Sequence, residues 1–410
     1  MPSIELQALI DDLADRLAAP TVLEDDEQRL IAHSSQSGPV DDIRRESILL
    51  RYTTPPVRGW FRQFGIVAAK LPLRIPGDPE KGILGRLCVP IDHHGLRVGY
   101  LWLIDDTGRL DDEAVASAAK AAHHAGLLIF EDILAERLAS RVLEHLLSPA
   151  EELRSESARH IAYSGLLGER GQVVAVVVQP ISATANLDRS LIAESLRDLT
   201  RRRADGEVCG LAHTDHGVIV ARYGARDPAE AARRLAEALC QAMSRRLQTT
   251  EEQATSVVVG IGDPRPMLAD AYLSYREARM AARVATTVPT VGPVAVWHDL
   301  GVFRTLAQLP VCDEVTSSID PRFLRLLEHA DPAVLVTLET FLDLAGDVKA
   351  TAESLHVHRG TLYYRLQKAE QLAEANMRAG ADRLALHLGF KLARLAGLYT
   401  CCNVASTSHR

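Results

Sequence analysis

The segment 347–369, DVKATAESLHVHRGTLYYRLQKA, has the spacing of two short helices joined by a tight turn. Ala350, Ala352 and Leu355 mark the apolar side of the first helix, and Val357 falls in the turn. Leu362, Leu366 and Ala369 recur at i, i+4 and i+7, one face of a second helix. Gly346 suits the C-cap of a preceding helix and Asp347 the N-cap of the next. Small side chains at 350 and 352 let the second helix cross the first closely. This is the geometry of a helix-turn-helix, whose second helix enters the DNA major groove.

On a helical wheel with Leu362, Leu366 and Ala369 inward, Gly360, Tyr364, Gln367 and Gln371 point outward. Thr361, Tyr363 and Lys368 flank them, while Arg359 and Arg365 lie nearer the core edge. The chemistry of that face suits double-stranded DNA. Gly360 lets backbone approach backbone, Gln367 can pair bidentately with adenine, and Thr361 can reach a base or a phosphate. Arg359, Arg365 and Lys368 supply positive charge, and Tyr363 and Tyr364 supply aromatic surface. An ordinary surface helix with scattered polar groups has the same periodicity, so spacing alone leaves both readings open.

The run TAESLHVHRGTLYYRLQKAEQL resembles the C-terminal helix-turn-helix of the PucR/CdaR-type regulators of purine catabolism and sugar diacids. Their pattern runs T-A-x-x-L-x-V-H-R-N-T-L-x-Y-R-L. The DNA-binding half of the nucleoid protein Fis carries a similar A-x-x-L-x-x-x-x-R-G-T-L run. Upstream, DPAVLVTLETFLDLAGDVKATA is similar to the family's lead-in helix, and downstream DRLALHLGFKLARL to its closing helix. This chain has Gly360 where the family usually has Asn, and Tyr363 where it usually has Arg. The resemblance implies a bacterial one-component transcription regulator that binds an operator and answers to a small-molecule effector; architectural Fis-like binding is a rival reading.

The 410 residues suffice for two or three domains. No apolar run approaches the ~20 residues that span a bilayer. The first residues, MPSIELQALIDDLADRL, are acidic and amphipathic, unlike a secretory signal, so a cytoplasmic protein without membrane attachment is expected. Cys88, Cys209, Cys240, Cys312, Cys401 and Cys402 show no C-x-x-C pairing, as expected of reduced thiols. A net charge of −8 argues against indiscriminate coating of nucleic acid. Residues 347–399 nevertheless carry eight basic and five acidic groups, a local balance of +3. Such a small basic surface calls for at least two copies on one operator, so a homodimer or larger homo-oligomer is expected.

The expected fold class is multi-domain α/β plus all-α. Residues 1–128 are predicted to form one α/β unit, with a first helix Ile4–Leu17. Strands are predicted at Thr21–Leu23, Leu30–His33, Ile66–Lys70, Ile83–Ile91 and Leu96–Ile104, the last two joined by a turn at Asp92–Gly95. A helix follows from Asp111 towards Leu147. The phrase CVPIDHHGLRVGYLWL resembles a GAF-type small-molecule sensor. Asp92, His93, His94, His123 and His124 do not converge as metal ligands would, since neighbours on a strand face opposite ways; no metal or cofactor is expected. Within 129–149, expected to be a connecting helix, Leu134, Leu138, Val142 and Leu146 form a stripe. It packs either on its own domain or on its twin in a dimer.

Residues 150–300 are predicted to run β-α-β-β-α-β-α-β, from strand Gln172–Gln179 and helix Leu187–Ala204 through strands Val208–His213, Val218–Tyr223 and Ser256–Ile261 to a last strand Val294–Trp297. That order resembles the nucleotidyl-cyclase (GGDEF-like) architecture, with VVVGIGDPRPMLADAYLSYREARMAARVA similar to that family's characteristic run. Cyclase chemistry needs carboxylates on two metal ions. The hairpin here reads HTDHGV with the single acid Asp215, and the first strand ends QPIS. A degenerate, non-catalytic domain is expected, and an enzyme making or breaking a nucleotide is the rival class. Gly260 and Gly262 are read as a turn, and Tyr275, Arg276, Glu277 and Arg279 as an ordinary packed helix. A helical linker at 301–330, the DNA-binding domain at 331–399 and a disordered tail at 400–410 complete the expected organisation.

Overall fold

The computed structural model describes residues 4–35, 39–168, 170–181, 189–201, 208–224, 227–248, 257–309 and 319–399. Cys312, Cys401, Cys402, the tail 400–410, Ser256 and both ends of the expected helix Leu187–Ala204 lie outside them, as do residues 310–318 of the expected linker. The chain divides into two compact units, 1–139 and 140–410.

In the first unit, α1 (Ile4–Leu17) precedes β1 (Thr21–Asp25) and β2 (Leu30–His33). Then come α2 (Asp42–Leu50), α3 (Pro55–Arg62), β3 (Leu73–Ile75), β4 (Arg86–His93), β5 (Leu96–Ile104) and the long α4 (Asp112–Leu146). The strands make one sheet in the order β2-β1-β5-β4-β3, antiparallel throughout. Alternation along the strands gives the sheet two different faces. Leu23, Leu87, Val89, Ile91, Leu101 and Leu103 pack with α1 and the start of α4. Val22, Cys88, Tyr100 and Trp102 face the other way, against Phe61 and Ile66. The β4–β5 hairpin turns at His94 and Gly95, both in the left-handed region at φ 48° and 78°.

Two expectations fail here. Residues 66–70 form no strand. Left-handed Gly65 starts a turn whose carbonyl accepts from Ala68 and Ala69 N–H at 3.1 Å. The Arg97 guanidinium then takes the carbonyls of Ile66 at 3.0 Å and Ala69 at 2.5 Å, consuming acceptors a sheet would need. The paired strand is instead the short β3. Helices α2 and α3 were not foreseen, although their starts carry ordinary signals. Asp41 caps α2 by accepting from Arg44 N–H at 2.8 Å, and Pro55 opens α3.

The second unit takes in the end of α4, from Ser140, and then α5 (Glu151–Ser164). Next come β6 (Gln172–Pro180), α6 (Arg189–Arg201), β7 (Val208–Ala212), β8 (Gly217–Tyr223), α7 (Pro228–Gln248), β9 (Val257–Ile261), α8 (Ala271–Thr287) and β10 (Val294–Val296). This is the expected β-α-β-β-α-β-α-β order. The sheet runs β10-β9-β6-β8-β7, with β6 antiparallel to both neighbours and β9 parallel to β10. Val174, Val176 and Val178 face α6 and α7; Val173, Ala175 and Val177 join the core around α8. Gly260 does not turn the chain. It lies within β9, and Gly262 follows it directly. A Cβ at either would run into backbone of α8, at Ala278 or Ser274, so both glycines serve close helix-on-strand packing. Among the described residues, five helices follow the short α9 (Phe303–Leu306): α10 (Pro321–His329), α11 (Pro332–Asp343), α12 (Val348–Ser354), α13 (Arg359–Ala373) and α14 (Gly380–Leu395).

Candidate nucleic-acid interface

Local chemistry fixes where α12 and α13 begin. Gly346, at φ 85°, ends α11 by donating its N–H to Phe341 at 2.8 Å. Asp347 Oδ1 then accepts from Ala350 N–H at 3.0 Å and caps α12. The chain turns through left-handed His356, and Val357 N–H closes back on Ala352 at 3.0 Å. His358 caps α13, its ring Nδ1 accepting from Gly360 N–H at 3.1 Å. That cap escaped the sequence argument, which looked for Ser, Thr, Asp or Asn at such positions.

Leu362, Leu366, Ala369 and Ala373 turn the inner face of α13 into the core beside Leu338 and Ala352. Burying such a leucine is worth roughly 1.5–3 kcal/mol, and this seam fixes the rotation of the helix. Opposite, Arg359, Gly360, Thr361, Gln367 and Gln371 are exposed, with Tyr363 and Tyr364 at 58% and 66% exposure. Two of the expected contact residues hold partners within the protein. Half-buried Arg365 donates from Nη1 to Thr337 Oγ1 on α11 at 3.3 Å. Lys368 Nζ pairs with Asp331 Oδ2 at 2.5 Å. This hydrogen bond holds the Asp331 carboxyl below, and the Lys368 amine above, its usual range. The outer face therefore combines Arg359, Gln367, Thr361 and two tyrosines, with Arg365 and Lys368 at its edges.

In the middle domain the hairpin between β7 and β8 holds a polar cluster. Asp215 Oδ1 contacts His216 Nδ1 at 2.7 Å, and His216 Nε2 contacts Tyr275 Oη at 2.8 Å. Arg279 donates to Asp215 Oδ2 at 3.1 Å. Burial pushes His216 down to about 4, so its ring is neutral near pH 7. On β6, Gln179 donates to Thr286 Oγ1 at 3.0 Å. Asp215 is thus tied to the protein's own side chains. Tyr275 and Arg279, expected on an ordinary packed helix, join this relay between hairpin and α8.

Known proteins share the domains described above. Residues 334–392 match the model of the PucR C-terminal helix-turn-helix domain, and residues 151–284 that of the GGDEF-like domain. The proline-responsive transcriptional activator PutR of Bacillus subtilis is 23% identical over 95% of this chain and 96% of its own length. The transcriptional activator PmfR of Paenarthrobacter nicotinovorans is 33% identical, over 32% of this chain and 28% of its own. A solved regulator of polyketide synthase expression from Bifidobacterium adolescentis covers 64% of this chain and 98% of its own at 18% identity. Its TM-score of 0.27 is too low to bear on the fold. Fold and site together define a multidomain helix-turn-helix transcriptional regulator. Within that class the likeness is to the PucR type, carried by the helix-turn-helix at 334–392.

Proposed function

We propose that the protein binds operator DNA as a homo-oligomer through α13 and is controlled by a small metabolite bound in its first unit. The exposed face Arg359, Gly360, Thr361, Tyr363, Tyr364 and Gln367 carries this reading, with Arg365 and Lys368 as the edges that hold the helix in place and border the phosphates. Sensor, connecting helix, GGDEF-like domain, linker and DNA-binding domain are assigned to 1–128, 129–149, 150–300, 301–330 and 331–399. Among the described residues no helix is long and apolar enough to cross a membrane, in keeping with a cytoplasmic regulator.

The GGDEF-like domain is assigned a coupling role rather than turnover. Its hairpin acid is already engaged by His216 and Arg279. With Mg²⁺ and GTP or ATP, the purified chain is expected to form no cyclic product; sustained turnover abolished by Asp215→Ala would reverse that assignment. The DNA reading is tested by selecting bound duplexes from a random pool with the full-length protein. A recovered sequence with two half-sites spaced by about one helical turn, or a multiple of it, supports it. Recovery of no enriched sequence sinks it.

A further inference from the structure

The second face of the first sheet buries charge in a way its architecture does not require. Arg86 on β4, Glu24 on β1 and Arg44 on α2 are all buried there, beside Trp102, Tyr100 and Phe61. Arg86 is accounted for. Its Nη2 pairs with the Asp41 carboxylate, its Nε donates to the Leu84 carbonyl at 3.2 Å, and its guanidinium lies 4.9 Å from the Phe61 ring centre. Asp41 is accounted for as well. Its oxygens accept from Arg44 N–H at 2.8 Å and Leu84 N–H at 2.9 Å, besides Arg86.

Arg44 differs. Its side chain is 2% exposed, its Nη2 reaches only the Trp102 carbonyl at 3.5 Å, and its Nη1 has no acceptor. A guanidinium offers five donors in a planar fork shaped for a carboxylate, and burying one without an acceptor is costly. Glu24, within electrostatic reach of Arg44, accepts from Thr53 Oγ1 at 2.8 Å instead. Thr53 N–H donates in turn to the carbonyl of Gln28, whose side chain is 3% exposed with both amide atoms unpartnered. Burial lifts Glu24 to about 7 and lowers Arg44 to about 9, the Arg44 charge only partly offsetting the first. Arg44 thus holds a donor fork short of an acceptor, and Glu24 a buried carboxyl that the Arg44 charge offsets only in part. The aromatic and aliphatic walls of Trp102, Tyr100 and Val22 adjoin them.

We propose that this corner is the effector site, and that its ligand is a small zwitterion of the α-amino acid class, with its carboxylate on the Arg44 fork and its ammonium on Glu24. Apolar walls with a few convergent polar groups are what small-ligand sites use for affinity and orientation. A plain anion brings Glu24 no further cation; a plain amine brings Arg44 no acceptor.

This proposal rests on the metabolite-controlled reading above, and the two can fail separately. The full-length protein is titrated calorimetrically with each standard amino acid, with the matching acids that lack the amine, and with amines that lack the carboxylate. At least one amino acid should bind saturably, and both truncated analogues about tenfold more weakly or worse. Arg44→Met should abolish binding. Glu24→Gln, which keeps the shape of a carboxyl that already holds a proton easily, should weaken the amino acid but not its amine-free analogue. Circular dichroism checks the fold, and Arg44→Lys, which keeps charge but not the fork, stands in if Arg44→Met is unfolded. No heat with any amino acid, or wild-type affinity in both folded variants, overturns the site. DNA binding is assayed on the same preparations. Intact DNA binding without amino acid binding removes this site alone, whereas a wild type that binds no DNA removes the regulator reading itself.

Discussion

Arg394 on α14 donates through Nε and Nη2 to the two carboxylate oxygens of Glu339 on α11, at 2.7 and 2.6 Å, with both side chains buried. The pair ties the closing helix of the DNA-binding domain to its lead-in helix, and Lys391 adds a contact to Asp343 at 2.6 Å. Removing one member leaves the other charge buried and uncompensated. Glu339→Gln is expected to cost about 3–5 kcal/mol, read as a lower urea midpoint for the second unit. A loss below about 1 kcal/mol, typical of exposed pairs, would show that the site hydrates on opening and that the helices are held by apolar contact alone.

The polar residues of α13 should not behave alike. Arg359→Ala should weaken binding to all duplexes and reduce the salt dependence by about one phosphate contact. Gln367→Ala should change preference at one base pair by about 1–3 kcal/mol. Arg365→Ala should first destabilise the domain, by about 1 kcal/mol, because its Thr337 bond is lost. Binding isotherms for the three variants beside their unfolding curves separate the roles. An Arg359→Ala isotherm identical to wild type at low salt would move the interface off this helix.

Acid and base should act oppositely on the two units. Glu24 is raised from 4.5 to about 7 by burial. Between those values the folded state keeps a proton that the unfolded chain has released, so this contribution falls as pH rises through the window. His216 is lowered from 6.5 to about 4, again by burial. There the unfolded chain takes the extra proton, so stability is lost as pH falls from 6.5 towards 4. Glu24→Gln should therefore gain on wild type from pH 5 to pH 7.5, and His216→Gln should gain from pH 7 to pH 5. Unfolding curves of either variant that stay parallel to wild type across its window would contradict the corresponding burial.

These groups also show what the sequence could and could not disclose. The inner face of α13 was legible because Leu362, Leu366 and Ala369 must share one side of any helix. The succession of elements in the second unit was legible because runs such as Gln172–Pro180 are apolar throughout, as a strand buried on both faces must be. Partners far apart along the chain were not. Nothing near Arg365 announces Thr337, 28 residues earlier, and nothing near Glu24 announces Thr53 or Arg44. The strand expected at 66–70 failed for the same reason: Arg97 claims its carbonyls from 28 and 31 residues away. Hydrophobic period reports which side faces inward, but a buried polar contact depends on tertiary pairing that no local window contains.

The stripe Leu134, Leu138, Val142 and Leu146 on α4 divides in the structure. Leu146 is fully buried and Val142 packs beside the core of the second unit, whereas Leu134 and Leu138 are 48% and 56% exposed. Residues 131–138 are exposed at every position except half-buried Ile133, so two turns of helix present leucines to solvent. A second copy of the same helix is the occupant an oligomeric regulator would supply, leucine against leucine along a shared seam. Leu138→Glu should then place a charge in that seam and shift sedimentation at micromolar concentration towards monomer, with circular dichroism unchanged because Leu138 supports no core of its own. Leu146→Ala makes the control. It should cost about 2–5 kcal/mol in unfolding, as a buried leucine does, while leaving assembly intact at temperatures where the chain remains folded. Weaker operator binding should accompany the Leu138→Glu monomer, since a single α13 offers one half-site and a local charge of only +3. A wild-type chain that is monomeric both free and on DNA would refute this seam, and with it the proposed pairing of half-sites.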